Sequence, residues 1–381
     1  YSNAYAGKHG YSGPASSDQD QEHAKSMLQH LLSVSTVIRD NRFVDTSIFL
    51  IQEKSKSEKT FTISWMNKPN WLSLQSLNHF LGRRCKYKNC KMTKYKHNTS
   101  HPDALVFNTK NQLPSSSLSV FKLRPGTQVW IFFQMEPPSR ITTNWFRQES
   151  FRYAFNWSWS YRLDSDIFRP IGTFIRNTGF SNISYSAIFQ KKTKMAAWIV
   201  SHCETQSLRE KFVSSLIREG VQVDIFGRCS NTGQREKADY IINRISHEYK
   251  FYLAFENSFC EDYVTEKFFT YFNLDVILIV RGGLNYSNFF DKSTFIDTSD
   301  FGSVKQLAIF LKELGGNENA YTRYLLNKER FTLGFNQWDT MQYSSCALCA
   351  KLNNVNTFPN IYRNIEAFVS NDTCTTPNDY Y

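Results

Sequence analysis

The sequence predicts an α/β protein of two domains built on parallel strands, on three observations. At 381 residues the chain exceeds what one core usually accommodates, since about 150 residues per domain is ordinary. Short apolar runs of strand character alternate with amphipathic segments of helical period. One such run, KFYLAFEN from Lys250, passes directly into a charged loop and a helix, FENSFCEDYVTEKFF from Phe255 to Phe269. That succession of strand, polar tip and helix marks a ligand crevice beyond the carboxyl ends of a parallel sheet.

The elements follow in chain order. Residues 1–20 are rich in Gly, Ser and Tyr, begin without Met, and read as linker or as a leader foreign to the fold. With a stem or short helix over residues 21–40 they are set apart as residues 1–40. A first domain, residues 41–190, reads strand FTISWMN, helix WLSLQSLNHFL, strand ALVFNT and strand QVWIFFQME. Within it the basic stretch RRCKYKNCKMTKYKH reads as a solvated, disulfide-pinned loop. A linker-like stretch over residues 172–194 mixes Gly, Asn and Ser.

The second domain, residues 195–345, reads strand MAAWIVSHC, a helix over residues 206–219, strand VQVDIFG and a polar helix near Ala238. KFYLAFEN follows, then a helix carrying Tyr263, Glu266 and Lys267 on one face at i, i+3 and i+4. Strands DVILIV and STFID and a helix over residues 303–314 complete a doubly wound sheet. Residues 346–381 form a tail. Neither GxGxxG nor GxxxxGK[ST] occurs, so a dinucleotide fingerprint and a P-loop are both unsupported.

An apolar fraction of 41% and an aromatic share of 16% are values of a globular chain. The net charge of +11 is spread out, which favours an anionic small ligand or membrane surface over nucleic acid. Five Asn-x-Ser/Thr sequons, at Asn98, Asn156, Asn182, Asn285 and Asn371, stand beside eight cysteines and point to the secretory pathway. Zinc is the competing reading for Cys85, Cys90, Cys346 and Cys349, but C-x4-C is loose for a knuckle. No apolar run approaches a membrane span, and no signal peptide is visible.

Glu136, in QMEPPS, sits at a strand tip held by Pro137 and Pro138, where either a general base or a strand-closing surface glutamate belongs. In FNWSWSYRLDSDIF, Tyr161 and Arg162 are candidates for stacking and phosphate contact. Asp164 and Asp166 make a weak metal signal there, with Arg162 close enough to pair with one of them. Ser201, His202 and Arg209 combine a polar strand tip with an arginine near a helix start, a reasonable diphosphate site. His202 reads as a hydrogen-bonding group before a base. Lys267, beside the start of its helix, suits a phosphate.

In FNWSWSYRLDSDIF, AWIVSHC with Arg209, VDIFGRC, KFYLAFENSFCEDYVTEKFF and a terminal C-x-x-C, the chain resembles the secretory α1,3-fucosyltransferases, glycosyltransferase family 10, from about Phe61 to Cys349. The resemblance implies a GT-B architecture, with an acceptor domain and a GDP-fucose domain, both Rossmann-like, facing across a cleft. It implies that Glu136 is the catalytic base, and that Arg209, Tyr263, Glu266 and Lys267, with Tyr161 and Asn257, bind the donor. It further implies inverting transfer to the 3-hydroxyl of a GlcNAc in an N-glycan core or Lewis-type antenna. No metal is required, a divalent ion being at most stimulatory. It also implies that Cys346 and Cys349 bridge to Cys85 and Cys90, and that the protein works in the Golgi lumen with a type II anchor outside this chain. His202 in place of Asn, MEPP in place of ESP, and a missing proline before the turn at Gly282 depart from the family pattern. A silent glycan-binding protein of the same fold, or a GT-B transferase using another nucleotide sugar, is the alternative.

Overall fold

The structure, a computed structural model, describes residues 22, 42–44, 59–96, 101–113, 124–179, 182–230, 237–370 and 373–379. Most of the N-terminal stretch over residues 1–40, and the sequons at Asn98 and Asn371, lie outside the described residues.

Six parallel strands form the first sheet: β1 (Phe61–Trp65), β2 (Cys90–Lys94), β3 (Ala104–Asn108), β4 (Val129–Gln134), β5 (Trp157–Ser160) and β6 (Ile167–Phe168). Their order is β2-β1-β3-β4-β5-β6. Every residue of β3 and β4 is buried, because both faces of a parallel sheet are covered and its strands read as continuous apolar runs. Helix α1 (Leu74–Arg84), capped by the Ser73 hydroxyl, buries Leu77 and Leu81 from the i, i+4 face. The stretch expected to be a loop contains the edge strand β2. Its Cys90 and Met92 point inward while Lys91 and Lys94 do not, and charges blunt an edge.

The linker is also structured. Phe174–Arg176 is strand β7, and Ser184 caps helix α2 (Tyr185–Lys191). The second sheet then has β8 (Lys194–Ile199), β9 (Val223–Phe226), β10 (Tyr249–Phe255), β11 (Ile277–Arg281) and β12 (Phe295–Asp297), parallel and ordered β12-β11-β10-β8-β9. Helices α3 (Arg209–Arg218), α4 (Ala238–Glu248), α5 (Glu266–Phe272), α6 (Tyr286–Phe289), α7 (Val304–Gly316) and α8 (Glu318–Lys328) accompany it. Strand β13 (Phe331–Leu333) pairs antiparallel with β7.

Helix α9 (Gln337–Asn353) leaves the second sheet and buries Met341 and Leu348 in the first domain's core. Helix α10 (Ile365–Ser370) adds Ile365 and Val369 to the aromatic cluster on the other side of that sheet. Cys346 and Cys349, on α9, bridge to Cys85 and Cys90 as the family resemblance implied, which replaces the zinc reading. Cys203–Cys229 and Cys260–Cys374 pair the remaining four. Among the described residues no helix is long and apolar enough to cross a membrane.

Asn156 is corrected as a glycosylation candidate. Its Oδ1 accepts from the Trp130 amide and from Arg124, its Nδ2 donates to the Asn360 carbonyl, and its sequon serine, Ser158, is fully buried in β5. Asn182 and Asn285 are exposed, so glycopeptide mass spectrometry is expected to find glycan at those two and none at Asn156.

The Cys85–Cys346 and Cys90–Cys349 bridges span sequence separations of 261 and 259 residues, yet together they close one long loop and one small ring. Chain entropy assigns roughly 5–6 kcal/mol to the long loop and roughly 3 kcal/mol to a ring of about ten residues. Removing one bridge with paired Cys→Ser changes is therefore expected to cost about 3 kcal/mol, and removing both more than twice that, in denaturant unfolding.

Candidate active site

Both sheets reverse strand order at their centres, the first between β1 and β3, the second between β8 and β10. Ligands of doubly wound sheets bind beyond the carboxyl ends of the strands at such points. The two crevices meet in a cleft of about 300 Å³, lined from the first domain by Asn108, Lys110 and Glu136 and from the second by Tyr263, Thr265 and Glu266.

Glu136 stands just beyond β4. Gln134 donates to its carbonyl at 3.0 Å, and Pro137 leads into a short 3-10 turn, Pro138–Arg140, that fixes the bend. Lys110, beyond β3, takes the Glu136 Oε1 at 2.5 Å, which leaves Oε2 for another partner. Ser139 and Ser258 share a hydrogen bond of 2.7 Å across the domains, and Arg140 meets the Nε2 of His202 at 2.9 Å. Desolvation, Arg140 and Arg209 hold the His202 imidazole below its usual value, so Nε2 accepts from Arg140 and the ring serves as a hydrogen-bonding group. Ser201 beside it is exposed.

On the opposite wall, Glu256 ends the apolar run of β10 with no solvent exposure. Its carboxylate accepts from the Thr265 amide at 2.8 Å and hydroxyl at 2.9 Å, and lies 3.2 Å from the Lys267 ammonium. Burial pushes the Glu256 carboxyl up, against the pull of Lys267. Desolvation of Lys267 is outweighed by Glu256 and Glu266, which raise its pKa and keep it a cation. Burial opposes ionisation of Glu266 too, but Lys267 at 3.0 Å brings that carboxyl below its usual value.

The structure corrects the placement of Tyr263. Asp262 takes a left-handed conformation (φ 59°) and Thr265 caps α5, so the helix starts at Glu266 and Tyr263 lies in the loop before it. It still lines the cleft, buried edge-to-face against Tyr161 at 5.1 Å. Tyr161, itself buried, therefore acts as its support, not as a stacking face for a ligand. Asn257, at the strand tip, is buried, and its Oδ1 has no hydrogen-bond partner within the protein.

Two arginines do not stand free in the crevice. Arg162 forks onto Asp164 at 2.7 and 2.8 Å, donates to the Phe368 carbonyl and lies over the Phe368 ring, so its proposed phosphate contact is replaced by a structural one. Asp166 is committed likewise, to Ser158, Tyr362 and Lys351. Arg209 is buried, donating to the carbonyls of Phe255 and His202 and lying over Trp198, with its Nε unpartnered. It braces the tips of β8 and β10, and bears on the crevice by its field.

Sequence reasoning missed Lys110, the Glu256 anchor of Lys267, and the tryptophans Trp71 and Trp338 beside the cleft. Only Glu256, a carboxylate closing a strand that is apolar but for Lys250, carried a readable signal.

Two doubly wound sheets facing each other across a cleft at the carboxyl ends of their strands make the GT-B architecture of glycosyltransferases. A family model described as "Fucosyltransferase, N-terminal" matches residues 48–172, and one described as "Glycosyltransferase family 10 (fucosyltransferase) C-term" matches residues 189–368. The chain belongs to glycosyltransferase family 10, the fucosyltransferases. It is 33% identical to Alpha-(1,3)-fucosyltransferase C of Drosophila melanogaster over 66% of this chain and 60% of that protein. It is 29% identical to Alpha-(1,3)-fucosyltransferase fut-5 of Caenorhabditis elegans over 76% of this chain and 78% of that one. A solved α1,3-fucosyltransferase structure aligns with a TM-score of 0.50 at 15% identity, over 80% of this chain and 93% of its own, and shares the fold.

The buried pair makes a sharp prediction. Lys267→Met leaves the Glu256 carboxylate without its counter-charge, an expected loss of about 3–5 kcal/mol, while Glu256→Gln with Lys267→Met recovers part of it. A double-mutant cycle in urea measures this.

Proposed function

We propose that this chain transfers L-fucose from GDP-β-L-fucose to the 3-hydroxyl of a GlcNAc in a glycoprotein glycan, with inversion at the anomeric carbon. The observation that carries the reading is one carboxylate, Glu136, with an oxygen to spare, facing Tyr263, Thr265 and Glu266 across a ligand-sized gap, with Lys267 ion-paired to Glu266. Membership of the fucosyltransferase family supports the donor and the reaction class.

In this mechanism the acceptor 3-hydroxyl docks on Glu136 Oε2 while Lys110 orients the carboxylate through Oε1. The hydroxyl oxygen attacks the anomeric carbon as the bond to GDP breaks on the opposite face, and its proton passes to Glu136. Negative charge grows on the departing diphosphate. Lys267, kept cationic by two carboxylates, meets it, and Arg209 adds its field from beneath. Asn257 accepts from a donor hydroxyl or amino group. Four disulfides using all eight cysteines fit an oxidising secretory lumen, as the Golgi reading requires.

The test is transfer of labelled fucose from GDP-fucose to an N-glycan core and to N-acetyllactosamine, with a chelator present. Transfer is expected to survive chelation, and Glu136→Gln to lower kcat about 10²- to 10⁴-fold with GDP affinity unchanged. Measurable GDP binding without transfer to either acceptor would overturn the reading in favour of a silent glycan-binding protein or another acceptor.

A further inference from the structure

Beside the cleft of Glu136 lies a second groove of about 450 Å³ whose lining, Glu266 apart, takes no part in the transfer step. The two share Trp71, Ile171, Glu266 and Gln337 and form one continuous trough. The groove adds a second indole, Trp338, with the polar side chains of Asn336 and Thr270 and the apolar Phe269.

Both indoles are held by the fold. Trp71 is 52% exposed, yet the buried Arg169 guanidinium lies 5.8 Å from its ring and donates to the Gln337 carbonyl at 2.7 Å. Trp338 is the second residue of α9, where Asn336 and Asp339 form a reciprocal capping box, and it packs on the first core. Exposing a large aromatic ring at a fixed position beside a reaction cleft is costly unless a ligand covers it. A pyranose offers an apolar C–H face and a rim of hydroxyls, which aromatic rings, side-chain amides and a carboxylate complement.

We propose that this groove is an acceptor subsite that holds the sugar linked next to the reacting GlcNAc, an inference that rests on the transfer reading above. The subsite selects the acceptor's second unit, and the Glu136 cleft holds its first.

The experiment compares kcat/KM for a GlcNAc β-methyl glycoside with that for the same GlcNAc extended to chitobiose and to N-acetyllactosamine, in wild type, Trp338→Ala and Trp338→Phe. The preference for whichever extended acceptor the wild type favours is expected to fall about tenfold in Trp338→Ala, the value of one lost stacking contact, and to return largely in Trp338→Phe. An unchanged preference, or a rise confined to the KM of GDP-fucose, overturns the proposal, the latter assigning the groove to the donor. If wild type transfers to neither, the reading of the reaction fails separately. Saturation-transfer NMR with the two disaccharides then decides the subsite. Contact seen in wild type and lost in Trp338→Ala supports it, and contact absent or equal in both sinks it.

Discussion

The buried carboxylate of Glu256 constrains everything around the cleft. A charge with no solvent exposure must be met by protein groups, and here the chain after β10 folds back to supply them from Thr265 and Lys267. Ten residues that leave a strand tip and return to it can do little else than form a compact turn. Satisfying Glu256 thus sets Tyr263 against the cleft, starts α5 at Glu266, and fixes Lys267 as a cation between two carboxylates. The Cβ that any other residue would carry at Gly283 collides with the Cys260 backbone, so the tip of β11 presses on the same turn.

The opposing wall is registered to that turn by contacts between domains. Ser139 meets Ser258, Arg140 meets His202, and the Leu163 amide donates to Asp262 at 3.0 Å. Each joins a loop beyond the first sheet to a loop beyond the second, so Glu136 and the loop after β10 share one frame. The return of α9 and its two bridges to Cys85 and Cys90 close the far side of the same frame.

Much of this was legible in the residues, and the exceptions have physical reasons. The interior strands of the second sheet, β8, β10 and β11, declared themselves because strands covered on both faces are apolar along most of their length, as the runs YLAF and VILIV are. Strand β2 did not, because CKMTK lies at an edge and carries lysines outward. Strands β5 and β6 are short, and β5 alternates Trp and Ser, so their stretch reads as a site before it reads as sheet. Glu136, Glu266 and Lys267 were named from motif and position, and they line or flank the cleft. Arg162 and Arg209 were named from charge, position and, for Arg209, the family pattern, none of which says whether a guanidinium faces ligand or is consumed by carbonyls and a neighbouring aspartate. Pairing of distant groups, Lys110 with Glu136 above all, is a tertiary property that no local pattern carries.

The C-terminal tail also holds the loop that follows β10. After packing on the first domain through α10, the chain crosses back, bonds Cys374 to Cys260, and exchanges backbone hydrogen bonds at Thr373 and Thr375 with Glu261 and Phe259. Asp379 then forks onto Arg281 at 2.6 Å, a fully buried guanidinium at the end of β11 that lies over Phe212 and Phe259. The loop that presents Asn257, Tyr263 and Glu266 is therefore tied from within by Glu256, from the facing domain by Leu163, and from outside by the tail. On the proposed reading, a loop ordered on folding need not be ordered again when a nucleotide sugar arrives, which leaves its interactions with the donor to stabilise charge in the transition state. Cations placed in this way, with Lys267 held between two carboxylates, are oriented by the fold before the substrate enters.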